Sequence, residues 1–346
     1  MNILFVGDLN EFGRSAQRFR VLGELGHRVI GITTVPRAFR PGIDKTNLWN
    51  RFLWKLGIPP DATEANKEIR AEVQKGNFDV VWIEKGVTIR PATLIFIKKV
   101  SPKTKLAFCS EDDMHARHSR TLFFDHGVRY YDVVFTTKTY NLAEMKLLGA
   151  RRVELFLDSY DKEMHRPLSL NEKEREKYEC EVSAIGAFEK ERATSLLYLA
   201  EHGIKVVAWG NGWSSWVGRH SNLLVKNEHL FGIEYAKAIN ATKINLNFLR
   251  KINRDEVTSR SVEIPACGGF MLAERTKRHL EFFIEGKEAE FFGSNEEMLE
   301  KVRYYLEYDE ERKRIAAAGK MRCEKNGYSN RAQLARMLGV LDGIQR

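Results

Sequence analysis

Residues 253–274, Asn-Arg-Asp-Glu-Val-Thr-Ser-Arg-Ser-Val-Glu-Ile-Pro-Ala-Cys-Gly-Gly-Phe-Met-Leu-Ala-Glu, combine a polar loop, a short helix, a double glycine and an apolar strand. Gly268-Gly269 ends the helix where the backbone must turn sharply, and Pro265 kinks or shortens it. Residues 270–273 are short and apolar, which is typical of a parallel strand buried on both faces. The stretch therefore predicts one helix-to-strand step of a parallel α/β sheet.

The start of this helix is suited to a phosphate. Thr258 or Ser259 can cap it, and its first turn presents free backbone N–H groups and the positive end of the helix dipole. Arg260 lies in that turn and can clamp two phosphate oxygens. Glu263 follows Arg260 by three residues, so both side chains share a face and can point into one cleft.

The alternation of apolar strands with helices extends along the whole chain. Strand-length stretches with several apolar residues occur at 3–6, 29–32, 80–83, 106–109, 133–135 and 151–157, and again at 182–185, 206–209, 244–248, 270–273 and 289–292. This pattern predicts parallel sheets covered by helices on both faces. It is interrupted by an irregular, charged segment at 158–178, so two α/β layers of similar size are expected.

The composition is that of an ordinary globular protein. The chain has 346 residues, 43% hydrophobic and 30% charged, and two domains are the natural expectation. No apolar run approaches the roughly 18–20 residues of a membrane span, and the first residues predict a strand rather than a signal peptide. The cysteines are far apart, so we expect reduced thiols in the cytoplasm with neither a zinc site nor a disulfide framework. They are Cys109, Cys180, Cys267 and Cys323.

The net charge of +9 favours anionic partners, such as a nucleotide diphosphate, an anionic membrane surface or nucleic acid. Basic and acidic residues are interleaved and no arginine-rich tract occurs, so nucleic acid is not expected as a partner. Residues 49–56 place aromatic side chains at helical spacing among Arg51 and Lys55. Such a basic amphipathic helix can touch a membrane surface, but packing against the sheet is the favoured interpretation.

The turn after the first strand is Gly-Asp-Leu-Asn-Glu-Phe-Gly at residues 7–13, which is not Gly-x-Gly-x-x-Gly. The missing dinucleotide fingerprint disfavours a nicotinamide-dependent dehydrogenase. A glycine-bearing turn at this point still lines the cleft of an open α/β sheet. Gly7, Asn10 and Gly13 are therefore either ligand-facing or parts of an ordinary tight turn.

Polar residues also follow the third and fourth strands, where α/β proteins bind ligands. Lys85 follows the third strand, and Asp112, Asp113 and His115 follow the fourth. A carboxylate or imidazole here can take a proton from a hydroxyl. Glu-Asp-Asp at 111–113 also looks like a metal site, but carboxylate runs are usually solvated loops, and no metal is expected.

The second half offers basic residues and glycines at the same kind of strand end. Lys190 and Arg192 lie at a strand-to-helix junction and are suitable diphosphate contacts, or solvated charges at a helix start. Gly210 and Gly212 allow close backbone approach to a ligand, or form an ordinary strand-to-loop turn.

Residues 258–274, together with Phe-Phe-Ile-Glu-Gly-Lys-Glu-Ala at 282–289, resemble the C-terminal domain of group 1 glycosyltransferases, in the branch that includes the CgeB-like spore maturation proteins. Gly-Asn-Gly-Trp at 210–213, Lys-Ile-Asn-Leu-Asn at 243–247 and His-Arg-Pro at 165–167 agree with this. Residues 78–86 look like the N-terminal domain of the same branch. The resemblance covers most of the chain.

The resemblance implies a GT-B fold, in which two Rossmann-like domains face a cleft and the second holds most of the sugar nucleotide. We expect an acceptor-side domain at 1–157, a linker at 158–178, a donor-side domain at 179–329, and a C-terminal helix within 330–346 that crosses back to the first domain. Such enzymes need no metal and no cofactor beyond the nucleotide-diphosphate sugar, which is the donor substrate.

The resemblance also assigns roles. Relatives often carry two glutamates separated by seven residues; Glu263 takes the second position, which meets the nucleotide ribose. The first position, which faces the donor sugar, falls on Asp255, with Glu256 beside it, so the pattern is altered. The predicted donor site comprises Gly186, Lys190, Arg192, Gly210, Asn211, Gly232, Thr258, Ser259, Arg260, Glu263, Gly268 and Gly269. The predicted catalytic residues are Arg260, Asp255, Glu256, His115 and Asp113. The predicted acceptor-side residues are Gly7, Asn10, Gly13, Lys85 and Asp112.

The resemblance implies a metal-independent glycosyltransferase that moves a sugar from a nucleotide-diphosphate sugar to a glycan, a lipid-linked acceptor or a protein. Retention at the anomeric carbon is expected, and the altered acidic position leaves inversion open. The altered acidic position leaves an alternative open, a GT-B-fold binding or assembly protein with weak or no catalysis. A cytoplasmic location is expected in either case, with peripheral membrane contact as an option and no nucleic-acid partner.

Overall fold

The structure is a computed structural model, and it describes residues 1–36 and 47–344. The chain divides into two units, Met1–Leu157 with Asn330–Arg346, and Asp158–Ser329. In the described residues, each unit holds one six-stranded sheet whose neighbouring strands are all parallel. The predicted α/β class with two parallel sheets is therefore confirmed.

The first sheet has the strand order β2-β1-β3-β4-β5-β6. Its strands are β1 (Asn2–Gly7), β2 (Arg28–Thr33), β3 (Val80–Glu84), β4 (Lys105–Ser110), β5 (Val133–Thr136) and β6 (Val153–Leu155). The inner strands β1 and β3 are mostly apolar and are buried from Ile3 to Gly7 and from Val80 to Glu84, because helices cover both faces of a parallel sheet. All carboxyl ends lie at one edge, and the polar residues that follow the strands collect there.

The second sheet has the order β12-β11-β10-β7-β8-β9. Its strands are β7 (Cys180–Ile185), β8 (Val206–Trp209), β9 (Leu223–Lys226), β10 (Thr242–Asn247), β11 (Met271–Glu274) and β12 (Glu290–Phe292). β7 and β10 are neighbours although some sixty residues of chain separate them. The loops after these two strands therefore lie side by side at the carboxyl edge.

Helices flank both sheets. They are α1 (Arg14–Glu24), α2 (Leu48–Lys55), α3 (Ala65–Lys75), α4 (Pro91–Val100), α5 (Leu122–Gly127), α6 (Asn141–Leu147), α7 (Glu172–Tyr178), α8 (Lys190–Glu201), α9 (Gly232–Ala241), α10 (Arg260–Ala266), α11 (Lys277–Phe282), α12 (Asn295–Glu307), α13 (Asp309–Lys325) and α14 (Asn330–Asp342). α7 lies within the predicted linker and begins with a capping box of Asn171 and Glu174.

The C-terminal helix α14 belongs to the first unit. Its apolar side, which includes Leu334, Met337 and Leu341, is buried in one core cluster with Phe5 and Trp82 of that unit's sheet. Burying such side chains contributes about 1.5–3 kcal/mol each. α14 is therefore a structural part of the first unit.

The helix α2 does not pack as predicted. None of its residues is buried, and Trp49 and Phe52 are 64% and 49% exposed, so the favoured interpretation of residues 49–56 as a packed helix is wrong. The sequence pattern was helical, but it did not indicate which surface the aromatic side would meet. Throughout the described ranges, no helix is long and apolar enough to cross a membrane.

Candidate active site

Two arginines converge on Gly186, the residue that follows β7. A Cβ atom added to Gly186 would lie 2.7 Å from Nη1 of Arg192 and 3.3 Å from Nη1 of Arg260. Both guanidinium groups therefore share the small space that this glycine leaves open. The structure brings together these three predicted donor-site residues, which lie up to 74 positions apart in the chain.

The two positive charges perturb one another. Arg192 is buried, and this burial together with the charge of Arg260 lowers the pKa of Arg192 to about 10. Its nearest carboxylate, Glu189, is 3.8 Å away, and its Nη1 donates to the carbonyl oxygen of Ala187. An anion placed between two such groups relieves both the desolvation and the repulsion.

Among the described residues, the partners of Arg260 are neutral. Its Nε donates to Oδ1 of Asn247 at 3.4 Å, and its Nη2 donates to the carbonyl oxygen of Phe248 at 3.4 Å. In the part of the chain that the structure describes, no carboxylate forms an ion pair with it. Arg260 therefore keeps a charge and at least one donor nitrogen for an anionic ligand.

The loop after β8 encloses Gly186 from the other side. Gly210 has a φ of +142°, and a Cβ there would lie 2.1 Å from the carbonyl oxygen of Gly186. The indole Nε1 of Trp213 donates to the same oxygen at 2.9 Å, and Trp213 is fully buried. Only glycine fits at position 210, so Gly210 and Trp213 shape the floor of the site.

Glu263 is a buried carboxylate in the same unit. His165 places Nε2 3.8 Å from Oε1 of Glu263. The backbone N–H of Asp161 donates to Nδ1 of His165, so the imidazole proton lies on Nε2 and faces the carboxylate. Burial and the charge of Glu263 raise the pKa of Tyr235 well above its usual value. The carboxylate is therefore pre-positioned as an acceptor for hydroxyl groups.

The predicted capping of α10 by Thr258 or Ser259 is wrong. Ser259 has helical backbone angles (φ −55°, ψ −34°) and makes no capping hydrogen bond, while Oγ1 of Thr258 is buried without a partner in the described structure. The backbone N–H of Thr258 instead donates to Oγ of Ser261 at 3.2 Å. α10 has only seven residues, so the anion site depends on the arginines more than on the helix dipole.

Gly268 and Gly269 form the end of α10 rather than a ligand contact. The N–H of Gly269 donates to the oxygen of Ile264, and that of Gly268 to the oxygen of Pro265, which is a Schellman motif. A Cβ on Gly269 would lie 2.6 Å from Ile239 in α9. Pro265 lies inside α10, one residue before its end. The helix has seven residues, which agrees with the prediction that Pro265 shortens it.

The other predicted donor-site residues are not among those that converge on Gly186. Lys190 is exposed at the first position of α8, and Gly232, with a φ of +51°, begins α9. Asp255 and Glu256 are partly exposed, with their backbones held by Arg250 and Thr276. The carbonyl oxygen of Asn211 accepts from Phe188 at 2.9 Å, which holds the loop after β8 against the loop after β7.

The first unit has a cavity of about 850 Å³ at the carboxyl edge of its sheet. Lys85 and Asp112, both predicted on the acceptor side, line it and form an ion pair with each other. Lys85 has a φ of +42°, a strained value that often marks functional positions. Trp54 and Val87 add apolar surface, so the cavity offers both charged and apolar walls.

A buried ion-pair network supports this cavity. Arg18 lies between Glu84, at 2.8 Å, and Glu111, which also pairs with Arg14 at 2.7 Å. Burial opposes ionisation of Glu111, but Arg14 and Arg18 outweigh it and lower its pKa to about 2. These carboxylates are neutralised by arginines.

The described residues contain no cluster of His, Cys, Asp and Glu that could hold a metal ion.

The remaining first-unit residues serve local structure. Asp113 is fully buried and accepts hydrogen bonds from Asn141 and from the backbone of His115 and Ala116, so its assignment as a catalytic base is corrected to a turn-forming role. The side chain of His115 is exposed, with Nδ1 3.7 Å from Glu144, and it does not line the cavity.

The turn between β1 and α1 is tightly built. A Cβ on Gly7 would lie 2.9 Å from Cβ of Glu84, and one on Gly13 would lie 3.1 Å from the oxygen of Asn10. Asn10 donates from both its backbone and its side chain to Asp8. Gly7, Asn10 and Gly13 therefore shape the turn, and it is Asp8 that lines the cavity.

Comparisons with known proteins give a family match over part of the chain and a fold. The family model described as "Glycosyl transferase-like" matches residues 192–339, a range that includes Arg192, Arg260 and Glu263. No curated protein matches the sequence.

Several solved structures share the fold over nearly the whole chain. HepE from Anabaena, in complex with UDP and glucose, is 11% identical with a TM-score of 0.66, covering 98% of this chain and 100% of that one. Sucrose-phosphate synthase from Thermosynechococcus elongatus is 10% identical with a TM-score of 0.65, covering 99% and 98%. A glycosyltransferase from Rickettsia africae is 12% identical with a TM-score of 0.65, covering 99% and 98%. Residues 192–339 thus match the glycosyl transferase-like family, and the chain has the GT-B fold that these structures share.

Proposed function

We propose that this enzyme transfers a sugar from a nucleotide-diphosphate sugar to a hydroxyl-bearing acceptor, and that the second unit holds the donor. The observation that carries the proposal is the convergence of Arg192 and Arg260 on Gly186. Two guanidinium groups that repel each other in a partly buried space suit a diphosphate. HepE, a protein of similar fold, binds UDP and glucose, which supports a donor of this class.

The chemistry requires stabilisation of the leaving group. When the bond between the anomeric carbon and the diphosphate breaks, negative charge gathers on the diphosphate oxygens. Arg260 and the buried Arg192 meet that charge with fixed donors, which is the usual way in which enzymes stabilise such a leaving group. Because the arginines supply the positive charge, we propose that the reaction needs no metal ion.

The other donor contacts are assigned by chemistry. Glu263, held by His165 and near Tyr235, accepts hydrogen bonds from the ribose hydroxyls. Asp255 or Glu256, just before α10, orients the sugar. Retention at the anomeric carbon, and membership of the CgeB-like branch, are proposed on the resemblance of residues 258–274 and 282–289.

We propose that the cavity of the first unit receives the acceptor. The Lys85–Asp112 ion pair can exchange its mutual contact for hydrogen bonds to acceptor hydroxyls, and Trp54 can lie against an apolar face of the acceptor. A glycan, a lipid-linked glycan and a glycosylated protein all offer both features. The acceptor is therefore proposed as a carbohydrate-bearing molecule.

A panel of donors tests the proposal. At 100 times its Kd, a ligand stabilises the folded state by about 2.7 kcal/mol, which should raise Tm by about 5–10 °C. We expect such a shift with one of the UDP-, GDP- or dTDP-sugars in the presence of EDTA, and no shift with a CMP-sugar, which lacks the diphosphate. No shift with any member of the panel would overturn the donor assignment.

The same donor then tests the acceptor cavity. Lys85→Met should lower transfer to a sugar mixture while slow hydrolysis of the donor continues, because donor binding does not involve Lys85. Equal loss of both activities would contradict the acceptor assignment.

The exposed helix α2 supports a further proposal, contact with an anionic membrane surface. Trp49 and Phe52 are exposed beside Arg51 and Lys55, a combination that suits an interfacial helix. We expect Trp49→Ser with Phe52→Ser to reduce sedimentation with phosphatidylglycerol vesicles several-fold. Leu147→Ser, which removes an even more exposed apolar side chain (85%) from α6, is the control. Unchanged sedimentation of the double variant would contradict membrane contact through α2.

A further inference from the structure

A chain of buried hydrogen bonds runs from His279 to Arg260. His279 in α11 bonds to Ser261 in α10 at 2.7 Å, and Ser261 bonds to Asn247 at the end of β10 at 2.9 Å. Asn247 in turn accepts from Nε of Arg260 at 3.4 Å. His279, Ser261 and Asn247 are each fully buried, so the chain is shielded from water.

The direction of each hydrogen bond in this chain follows from a further bond, between His279 and the backbone of Glu274. Nδ1 of His279 lies 2.7 Å from the carbonyl oxygen of Glu274, which only accepts, so Nδ1 carries the proton. Nε2 then has a free lone pair and accepts the hydroxyl proton of Ser261. Burial lowers the pKa of His279 to about 4, which keeps the imidazole neutral and this tautomer in place near neutral pH.

The hydroxyl of Ser261 determines the direction of the next hydrogen bond, the one with Asn247. Since its proton is given to His279, its oxygen accepts from Nδ2 of Asn247 and from the backbone N–H of Thr258. Asn247 must therefore present its amide oxygen to Arg260. The reversed amide would place two donors against each other at Arg260 and leave two acceptors facing each other at Ser261.

The outcome is a fixed orientation of the guanidinium group. Nε of Arg260 is engaged by Asn247 and Nη2 by the carbonyl oxygen of Phe248. Nη1, the remaining nitrogen, is the one that approaches the open space beside Gly186. A planar fork held at two corners presents its third corner in one direction, which lowers the entropy lost on binding an anion.

We propose that His279, through Ser261 and Asn247, is a positioning residue that holds Arg260 ready for the donor diphosphate. The inference rests on the proposed function of the second unit as the donor site. None of the three residues needs to touch the substrate. Their effect is on where the donor groups of Arg260 point.

The test is a double-mutant cycle with pyrophosphate as the probe, because pyrophosphate represents the diphosphate of any donor sugar. His279→Phe keeps a ring of similar size stacked on Phe291 and removes both hydrogen bonds. We expect it to raise the pyrophosphate Kd, measured by calorimetry, about tenfold. In an Arg260→Ala background, His279→Phe should have no further effect, since the residue it acts through is gone.

Two further variants complete the design. Ser261→Ala breaks the chain at its middle with a smaller change of volume, and should reproduce the His279→Phe result if that variant folds poorly. Tyr305→Phe removes another buried hydrogen bond of the same unit, from Tyr305 to Glu290, without a path to Arg260, and should leave Kd unchanged.

The outcomes separate this inference from the proposed function. If Arg260→Ala weakens pyrophosphate binding but His279→Phe and Ser261→Ala do not, the positioning role is overturned and the donor site stands. Weakening that adds fully in the Arg260→Ala background also overturns the positioning role. If Arg260→Ala itself binds pyrophosphate normally, the donor site and the inference both fail.

Discussion

Arg260→Ala should lower the rate of sugar transfer about a hundredfold to a thousandfold. The variant removes a charged donor aimed at the place where the leaving diphosphate gains negative charge, and the loss of one such donor commonly costs that much. Arg260 is a sharper test than Arg192, because Arg192 also supports the loop at Ala187. Within the described ranges, Arg260 makes two long hydrogen bonds, both to neutral partners. The measurement is kcat with the donor that stabilises the protein most strongly.

Two controls make this result specific. Arg260→Lys keeps the charge but not the planar fork, so it should lie between the wild type and Arg260→Ala. Arg303→Ala removes an exposed arginine of α12, which donates to the carbonyl oxygen of His202, and should leave kcat unchanged. Full transfer activity in a folded Arg260→Ala variant would show that the diphosphate is held elsewhere.

The sequence predicted the strands that are buried on both faces, because burial there requires apolar residues. β1, β3 and β10 are central, and both their faces are covered, so their apolar runs stand out. β9 was not predicted, because this edge strand has only four residues and Leu224 at its middle is exposed. An edge strand needs fewer apolar residues, and its identity comes from pairing with β8, which no local pattern reveals.

The arginines of the proposed donor site could be predicted from the sequence, but the residues that orient Arg260 could not. Arg192 and Arg260 stand at the starts of helices, where basic residues near a glycine indicate an anion site. Asn247, Ser261 and His279 come from three elements and meet only in the folded unit, so their spacing carries no signal. The cap at Thr258 was wrongly predicted because residue type alone does not reveal that Ser259 has helical backbone angles.

The acidic residues at 111–113, in the first unit, also show that the sequence does not reveal which side chains meet in the fold. The sequence presented three carboxylates together, but the fold sends each to a different partner. Glu111 pairs with Arg14 and Arg18, Asp112 pairs with Lys85, and Asp113 accepts from Asn141. Successive residues in a loop point in different directions, so proximity along the chain did not make a shared site.

Arg18→Met should destabilise the first unit by about 3–5 kcal/mol, the usual cost of leaving a buried carboxylate without its partner. Arg18 and Glu84 are 3% and 4% exposed, with Nη1 and Oε2 2.8 Å apart. Without Arg18, Glu84 would keep the bond from Nε1 of Trp82, a neutral donor that cannot balance a charge. Glu111 would keep Arg14. The free energy of unfolding can be measured by urea denaturation.

A second substitution distinguishes two causes of the stability loss in Arg18→Met, the unpaired charge of Glu84 and the lost packing of Arg18. Glu84→Gln in the Arg18→Met background removes the orphaned charge while the amide oxygen still accepts from Trp82, so it should restore much of the stability. Arg152→Met breaks an ion pair with Glu154 that is largely exposed, and should cost no more than about 1 kcal/mol. If Arg18→Met costs as little as Arg152→Met, the Arg18–Glu84 pair is not the electrostatic support of the cavity. The cavity would then be held in shape by its other contacts, which include the Arg14–Glu111 and Lys85–Asp112 ion pairs and its apolar walls.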